Sequence, residues 1–230
     1  MISMSLSSFS EDGDDGATQR ADAIVSLQER IRACRLCQEA GYIRQAAPIT
    51  HGRASNRILL VGQAPGHLSV ARDLPFSGPA GRVLDGWLTR AGFAPGALHT
   101  QVYLSSMTKC DPGKNPRGGG DRAPSPPEMA LCRPYLEQEL SLLRPAVILL
   151  LGGLAVTHFL GSHRLDEVVG GAFGSEDITW RPLWPGHEDV RVLALPHSSG
   201  VSRWLNEAAH RALLDRALEH LAFWRRDLGL

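Results

Sequence analysis

The sequence predicts an α/β fold in which a central parallel sheet lies between layers of helices. Four short apolar segments have the length and composition of strands, and segments with helical apolar spacing alternate with them. One of the four, residues 146–151, is an unbroken apolar run, which is typical of a parallel strand buried on both faces. The predicted strands cover residues 57–61, 101–104, 146–151 and 191–195.

Local signals set the limits of the helices. Pro126 opens one helix, since proline suits the first helical turn, and Gly92 ends another. Near the carboxyl end, apolar side chains from Leu213 to Leu221 recur at helical spacing. We leave a small hairpin open for the polar segment around Gly170. The predicted helices cover residues 21–33, 79–91, 126–143, 153–160 and 206–227.

Composition and charge are those of one globular domain. The chain has 230 residues, and its 24 basic and 24 acidic side chains give a formal net charge of zero. This balance argues against a strongly basic nucleic-acid coat protein, although a local basic patch is sufficient for binding DNA. We expect a disordered acidic tail over residues 1–18 and a single domain over residues 19–230. Because the first residues lack the plan of a secretory signal and no apolar run is long enough for a bilayer, we expect a cytoplasmic protein that contacts no membrane. No oligomer-forming feature stands out in the sequence, so we also expect a monomer.

The loop after the first predicted strand has the features of a ligand-binding loop. Gly62 and Gly66 permit unusual backbone angles and the close approach of another molecule, and Pro65 fixes the chain between them. Gln63 offers both a donor and acceptors, and Phe76 offers a flat apolar face a short way along the chain. Together these residues predict a slot for a flat ring with polar edges, such as a nucleobase.

Polar residues and glycines follow each of the four predicted strands. Gln63 follows the first strand, Ser106 and Lys109 follow the second, Gly152 follows the third and His197 follows the fourth. Because the carboxyl ends of parallel strands meet at one edge of the sheet, we expect these residues to converge there.

The four cysteines of the chain indicate a metal centre. Cys34 and Cys37 form a C-x-x-C pair at the end of a predicted helix, and Cys110 and Cys132 flank a loop rich in glycine and proline. Scattered buried thiols would not require the tight pair. Four thiolates suit either a structural zinc ion or an iron–sulfur cluster, and spacing alone does not separate these two alternatives.

In combination, these motifs are similar to the uracil-DNA glycosylase superfamily, and within it to the iron–sulfur-containing family 4 and its relatives. The resemblance covers roughly residues 30–225, and the order and positions of the motifs carry it more than any one motif. They are Cys34-x-x-Cys37, Gly62-Gln63-Ala64-Pro65-Gly66, residues 74–82 (Leu-Pro-Phe-Ser-Gly-Pro-Ala-Gly-Arg), Lys109-Cys110 with Pro112, Cys132, and Leu195-Pro196-His197.

The resemblance implies a three-layer αβα sandwich with a four-stranded parallel sheet, and an activity on DNA containing deaminated bases. Such an enzyme flips the damaged base out of the stack and cleaves its N-glycosidic bond, leaving an abasic site. The resemblance also raises a 4Fe–4S cluster above zinc as the group held by Cys34, Cys37, Cys110 and Cys132.

The resemblance assigns roles to individual residues. Gln63 and His197 would be catalytic, with His197 donating a hydrogen bond to uracil O2, where negative charge develops. The base would be bound by Gly62, Ala64, Phe76 and Ser106. DNA would be contacted by Lys109, Lys114, Arg117, Ser199 and Arg203. The residues that would fill the vacated stack are Val201, Arg203 or Trp204.

Two positions depart from the family pattern. Family 4 usually carries Glu where this chain has Gln63. A glutamine side chain can position a water molecule but cannot act as a base. His67 and Asp73 lie near enough in sequence to supply a base. The family's base-reading Asn appears here as Ser106, whose hydroxyl is shorter and rotates to donate or accept. We therefore expect relaxed or shifted specificity, extending to hypoxanthine or xanthine.

Two other classes of protein compete with a glycosylase. The departures at Gln63 and Ser106 are compatible with a catalytically weak iron–sulfur module that binds damaged or single-stranded DNA. A nucleotide hydrolase or a dehydrogenase is disfavoured, because neither a P-loop nor a strand-linked G-x-G-x-x-G motif occurs.

Overall fold

The computed structural model describes residues 12–116, 118, 120–181, 184–200 and 202–230. Four strands form one sheet in the order β2-β1-β3-β4, and every neighbouring pair is parallel. The predicted α/β fold with a four-stranded parallel sheet between helices is thereby confirmed. The strands are β1 (Ile58–Gly62), β2 (Val102–Ser106), β3 (Val147–Leu151) and β4 (Arg191–Leu195).

Helices flank the sheet, and most of their limits lie close to the predicted ones. The helices are α1 (Asp12–Ala33), α2 (Leu36–Glu39), α3 (His67–Ala71), α4 (Pro79–Arg90), α5 (Ala97–Thr100), α6 (Pro126–Leu143), α7 (Gly153–Leu160), α8 (Leu165–Val168) and α9 (Ala208–Asp227), with single 3₁₀ turns at Ser175–Asp177 and Trp204–Asn206. The short helices α2, α3, α5 and α8 were not predicted, because one turn of helix is too short to produce an apolar period.

The core lies on both faces of the sheet. All five residues of β1, β2 and β3 are buried, as the unbroken apolar run of β3 predicts. Helix α1 packs on α6, α4 packs on α9, and α7 packs on β3. Every helix in the described part of the chain is too short or too polar to cross a membrane.

Helix α1 is longer than the sequence predicts. It begins at Asp12, whereas the prediction began it at residue 21 and assigned residues 1–18 to a disordered tail. Residues 12–18 are therefore corrected to helix, and residues 1–11 lie outside the described residues. The physical reason is cooperativity: once a helix is nucleated by the packed turns that follow, each further residue adds a hydrogen bond at small cost.

The segment before β4 contains no hairpin in its described residues. Phe173 instead exchanges two backbone hydrogen bonds with Val192 of β4, of 3.1 and 2.9 Å, as an isolated antiparallel bridge. Because β4 is an edge strand, this bridge satisfies part of its outer row of backbone groups. The segment thus covers an edge of the sheet instead of forming an independent pair of strands.

Candidate active site

A cleft of about 630 Å³ lies at the carboxyl ends of the four strands. Its wall includes Gln63 after β1, Ser106 at the end of β2, Leu151 at the end of β3 and His197 after β4. The strand-end residues therefore meet at one edge of the sheet, as a parallel topology requires. Of the predicted site residues, the cleft brings together Gln63, Ala64, Phe76, Ser106, Lys114, His197 and Ser199.

Phe76 forms an apolar wall of the cleft because two glycines make room for it. Its own φ is +56°, an uncommon backbone angle for a residue with a side chain, of the kind that clusters at functional sites. A Cβ on Gly81 would lie 1.6 Å from the Phe76 carbonyl oxygen, and one on Gly62 would lie 3.1 Å from the Phe76 ring. Gly62 itself is buried behind the ring and does not line the cleft. The contact that the structure shows for Gly62 is with Phe76, and its contact with the base stays a prediction.

His197 is held in one tautomer by the loop that follows it. The backbone N–H of Ser199 donates to His197 Nδ1 across 3.2 Å, so Nδ1 is the acceptor and the proton of the neutral ring lies on Nε2. Burial lowers the pKa of His197 below its ordinary value, which favours this neutral form. Gly152 lies against the ring, where a Cβ would approach His197 Cδ2 to 3.3 Å. The result is an oriented, neutral donor at the cleft.

Gln63 is anchored to the loop that faces it. Its side-chain Nε2 donates to the main-chain carbonyl of Arg122 across 3.4 Å, and the main-chain carbonyl of Gln63 accepts from the backbone N–H of Thr108. With the amide nitrogen engaged in this way, the Gln63 side chain presents its oxygen as an acceptor.

Ser106 is buried in the wall of the cleft, and its hydroxyl proton already forms a hydrogen bond within the protein. Its hydroxyl donates to the carbonyl of Thr108 across 2.7 Å. The serine oxygen therefore offers lone pairs toward a partner and no second proton.

Lys109, a predicted DNA contact, is buried inside the protein instead of being exposed at its surface. The side chain is 2% exposed and its ammonium forms an ion pair of 2.9 Å with Glu139, which is fully buried. The ammonium also donates to the Ser105 hydroxyl at 2.7 Å and to the Ser106 carbonyl at 2.8 Å. Lys109 therefore supports the end of β2 from inside, because a buried ammonium needs a full set of partners.

The other predicted DNA contacts have different positions. Lys114 lines the cleft with an exposed side chain, whereas Arg203 is exposed but outside the cleft wall. Arg117 and the wedge candidate Val201 lie outside the described residues. Trp204, another wedge candidate, stacks on His210 of α9 with ring centroids 4.2 Å apart, so its ring packs against the last helix.

One acidic residue of the cleft was not predicted. Asp121 lies on the wall, paired with Lys114 at 2.6 Å, while the suggested base Asp73 is exposed and outside the wall. His67 does line the cleft, and the Lys114 ammonium lies 3.2 Å from its Nδ1. No local motif marks Asp121, because its position depends on how the glycine-rich loop closes.

All four cysteines line one small pocket beside the cleft. Cys34 follows α1, Cys37 lies in α2, Cys110 follows β2 and Cys132 lies in α6, and apolar side chains surround them. The backbone N–H of Lys109 donates to Cys132 Sγ across 3.2 Å. Burial is the main cause that raises the pKa of Cys37 to about 11 and that of Cys110 to about 12. Binding of a metal centre would therefore have to displace protons.

The donor set of this pocket suits either a structural zinc ion or an iron–sulfur cluster. Four thiols are the donors that both groups use. Among the described residues, no three His, Cys, Asp or Glu side chains converge closely enough to hold one metal ion.

Comparison with known proteins assigns the chain to a family. The family model described as the uracil DNA glycosylase superfamily matches residues 49–222, most of the chain. Among curated relatives, the Type-4 uracil-DNA glycosylase of Pyrobaculum aerophilum is 33% identical over 129 residues, which are 56% of this chain and 60% of that protein. The Type-4 uracil-DNA glycosylase of Thermotoga maritima is 28% identical over 147 residues, 64% of this chain and 71% of its own length. The Type-4 uracil-DNA glycosylase of Archaeoglobus fulgidus is 31% identical over 134 residues, which are 58% of this chain and 62% of that protein.

The match to the Pyrobaculum protein thus spans less than two thirds of that relative's length. The family model, by contrast, runs from the segment before β1 into α9 and includes every strand of the sheet. On the extent of that match and the arrangement of the cleft, the chain belongs to the uracil DNA glycosylase superfamily.

Proposed function

We propose that this protein is a monofunctional uracil-DNA glycosylase that hydrolyses the N-glycosidic bond of a deaminated base in DNA and leaves an abasic site for repair. The observation that carries the proposal is the oriented Nε2–H of His197 in a cleft that also contains Phe76 and Ser106. Such a constellation suits a flipped base, with Phe76 stacking on its face and His197 donating to the oxygen that gains charge.

The hydrogen-bonding state of Ser106 supports deaminated bases as the substrate class. Uracil, hypoxanthine and xanthine each carry an N–H on the Watson–Crick edge, whereas cytosine and adenine carry a bare ring nitrogen there. Because the Ser106 proton is committed to Thr108, its oxygen can accept from the N–H but has nothing to donate to the bare nitrogen. This contact then favours uracil over cytosine and hypoxanthine over adenine, but it does not separate xanthine from guanine, whose N1 also carries a proton. Uracil is the expected primary substrate, and hypoxanthine and xanthine are further substrates.

We propose that Cys34, Cys37, Cys110 and Cys132 hold a 4Fe–4S cluster, with structural zinc as the alternative. When bound, the cluster would supply a covalent tie between the amino-terminal helices, the loop after β2 and α6, with no open position for chemistry. The support for a metal centre is that all four thiols line one pocket, and the support for the cluster over zinc is the resemblance to family 4. The DNA partner, the cytoplasmic location and the monomeric state belong to the same proposal.

The first test is base release from end-labelled oligonucleotides that contain one uracil, hypoxanthine or xanthine, followed by alkali. We expect strand breaks with uracil, and a loss of about 100-fold or more in the single-turnover rate for His197→Ala, since one preorganised donor contributes about 3 kcal/mol. His163→Ala, a surface histidine of the same size, is the matched control. Ser106→Asn should retain activity on uracil and lose it on hypoxanthine.

The result decides between two functions. If the wild type binds DNA but releases no base from any oligonucleotide, the protein is the iron–sulfur binding module that the Gln63 and Ser106 departures allow. If hypoxanthine and xanthine are untouched while uracil is released, the glycosylase stands and the extended specificity is wrong.

A further inference from the structure

The cleft has one carboxylate in its described wall, and it does not come from the loop after β1. Family 4 usually carries a glutamate at the position of Gln63, so this chain lacks an acid there. Among the described residues that line the cleft, Asp121 alone has a carboxylate. It reaches the cleft from the glycine-rich loop that follows β2.

Backbone hydrogen bonds fix this loop as a closed turn. Lys114 and Asp121 form an antiparallel bridge, and Arg122 N–H donates to the Gly113 carbonyl at 2.9 Å. Within the turn, the N–H of Asn115 donates to the Gly120 carbonyl, also at 2.9 Å. The backbone of Asp121 is thus held by hydrogen bonds to the first half of the loop.

The closed turn brings Asp121 against the loop after β1. A Cβ placed on Gly66 would lie 2.8 Å from Asp121 Oδ2, so the carboxylate occupies the space that the missing side chain leaves. Gln63 Nε2 reaches the carbonyl of the next residue, Arg122, across 3.4 Å. The Gln63 amide and the Asp121 carboxylate therefore lie at the same corner of the cleft.

Lys114 holds this carboxylate in one orientation. Its ammonium contacts Asp121 Oδ1 at 2.6 Å, while Oδ2 is the oxygen that faces Gly66. The hydrogen bond to Asp121 raises the pKa of Lys114, so the amine stays protonated. A protonated amine is a poor nucleophile, which argues for an electrostatic role and against covalent attack on the sugar.

We infer that Asp121 is the catalytic carboxylate of the hydrolytic step, taking over from a neighbouring loop the role that a glutamate at position 63 would have. The inference rests on the proposed glycosylase function. The C1′–N bond breaks and its electron pair leaves with the base, whose oxygen accepts from His197. The oxygen of a water molecule then bonds to C1′, and the proton that it sheds passes to Asp121 and from there, through solvent, to the departed base. The water is held by Asp121 and the Gln63 oxygen, and the carboxylate also offsets positive charge on the sugar.

The experiment compares single-turnover base release from a uracil oligonucleotide at saturating protein. We expect Asp121→Asn to lower the rate about 100-fold, the usual scale for loss of a general base. Asp215→Asn is the matched control, since Asp215 is an exposed, ion-paired aspartate on α9 outside the cleft wall. In the double variant Gln63→Glu/Asp121→Asn, the carboxylate returns on the neighbouring loop, and we expect at least about a 10-fold recovery over Asp121→Asn alone.

Two results would overturn the inference. One is an Asp121→Asn variant that cuts at the wild-type rate. The other is a Gln63→Glu/Asp121→Asn variant that is no faster than Asp121→Asn, which would mean that a carboxylate at this corner of the cleft is not what the hydrolytic step requires. An inactive wild type would instead overturn the proposed function, so the two failures are distinct.

Discussion

At the scale of the residue, His197 illustrates how one backbone contact determines the chemistry of a side chain. The Ser199 N–H selects the tautomer, and burial disfavours the charged form. The Ser199 residue was predicted to contact DNA, but the contact visible in the structure is its hydrogen bond to His197. A proton added to Nδ1 would point at the N–H of Ser199, so that two donors would face each other.

This environment predicts a pH-dependent stability. Because the pKa of His197 is lowered by burial from its ordinary 6.5, the folded protein binds the proton less readily than the unfolded chain. The contribution of the neutral His197 ring to the free energy of unfolding is therefore complete above pH 6.5, and it is lost as the pH falls below that value. Between about pH 7.5 and about pH 5.5, we expect the Tm of the wild type to fall by about 2–4 °C more than that of His197→Gln.

The measurement is thermal unfolding of both proteins across that pH range. Residues such as His158, whose pKa is also lowered, are present in both and cancel in the difference. His163→Gln, at an exposed position, should follow the wild type. Parallel pH profiles for the wild type and His197→Gln would contradict the proposed neutral donor.

At the scale of the element, α6 joins the two functional regions of the molecule. It begins with a capping box between Ser125 and Glu128, carries Cys132 into the cysteine pocket and carries Glu139 to the pair with Lys109. Its limits are those that the sequence predicts, because Pro126 and the capping residues act locally. Its partners were not predictable, because they lie on other elements.

The start of α6 is stabilised by a buried ion pair. Glu128 is 3% exposed and accepts two hydrogen bonds of 2.7 Å from Arg122. Burial acts to raise the pKa of Glu128, but hydrogen bonds from Arg122 and Ser125 outweigh it and hold the value at about 2. We expect Glu128→Gln to lower the free energy of unfolding by about 2 kcal/mol, the scale of a lost charged hydrogen bond.

Urea denaturation at neutral pH measures this loss. Glu137→Gln on the same helix is the control, since its ion pair with Arg133 is an exposed i,i+4 contact that contributes no more than about 0.5 kcal/mol. Equal losses for the two variants would mean that the buried pair is not the feature that fixes the helix start.

At the scale of the whole molecule, the cysteine pocket ties distant parts of the chain together. Its thiols come from the end of α1, from α2, from the loop after β2 and from α6. That same loop after β2 also carries Lys114 and Asp121 to the cleft. A bound metal centre would therefore restrain the base-binding wall as well as the amino-terminal helices.

Removal of one ligand should have a global effect. We expect Cys110→Ser to lose iron and acid-labile sulfide and to lower the Tm by more than about 5 °C, since 1 kcal/mol corresponds to about 2–4 °C in a chain of this size. The measurements are metal analysis, visible absorption and thermal unfolding. Zinc in place of iron in the wild type would favour the alternative ion, and an unchanged Tm in the variant would contradict a stapling role.

Local patterns in the sequence are sufficient to predict the parallel sheet, the limits of the main helices and the edge at which ligand-binding residues gather. These follow from apolar spacing, from proline and glycine signals and from the geometry of parallel strands, all of which act over a few residues. The sequence also indicated four cysteines as one set and the family to which the chain belongs.

The roles of individual side chains depend instead on contacts between distant parts of the chain. Lys109 is buried because Glu139, thirty positions along the chain, lies against it, and Asp121 reaches the cleft because a turn closes over Gly66. The proton on His197 Nε2 depends on a single N–H two residues away. Burial, pairing and protonation arise from contacts between elements, and a linear pattern does not contain those contacts.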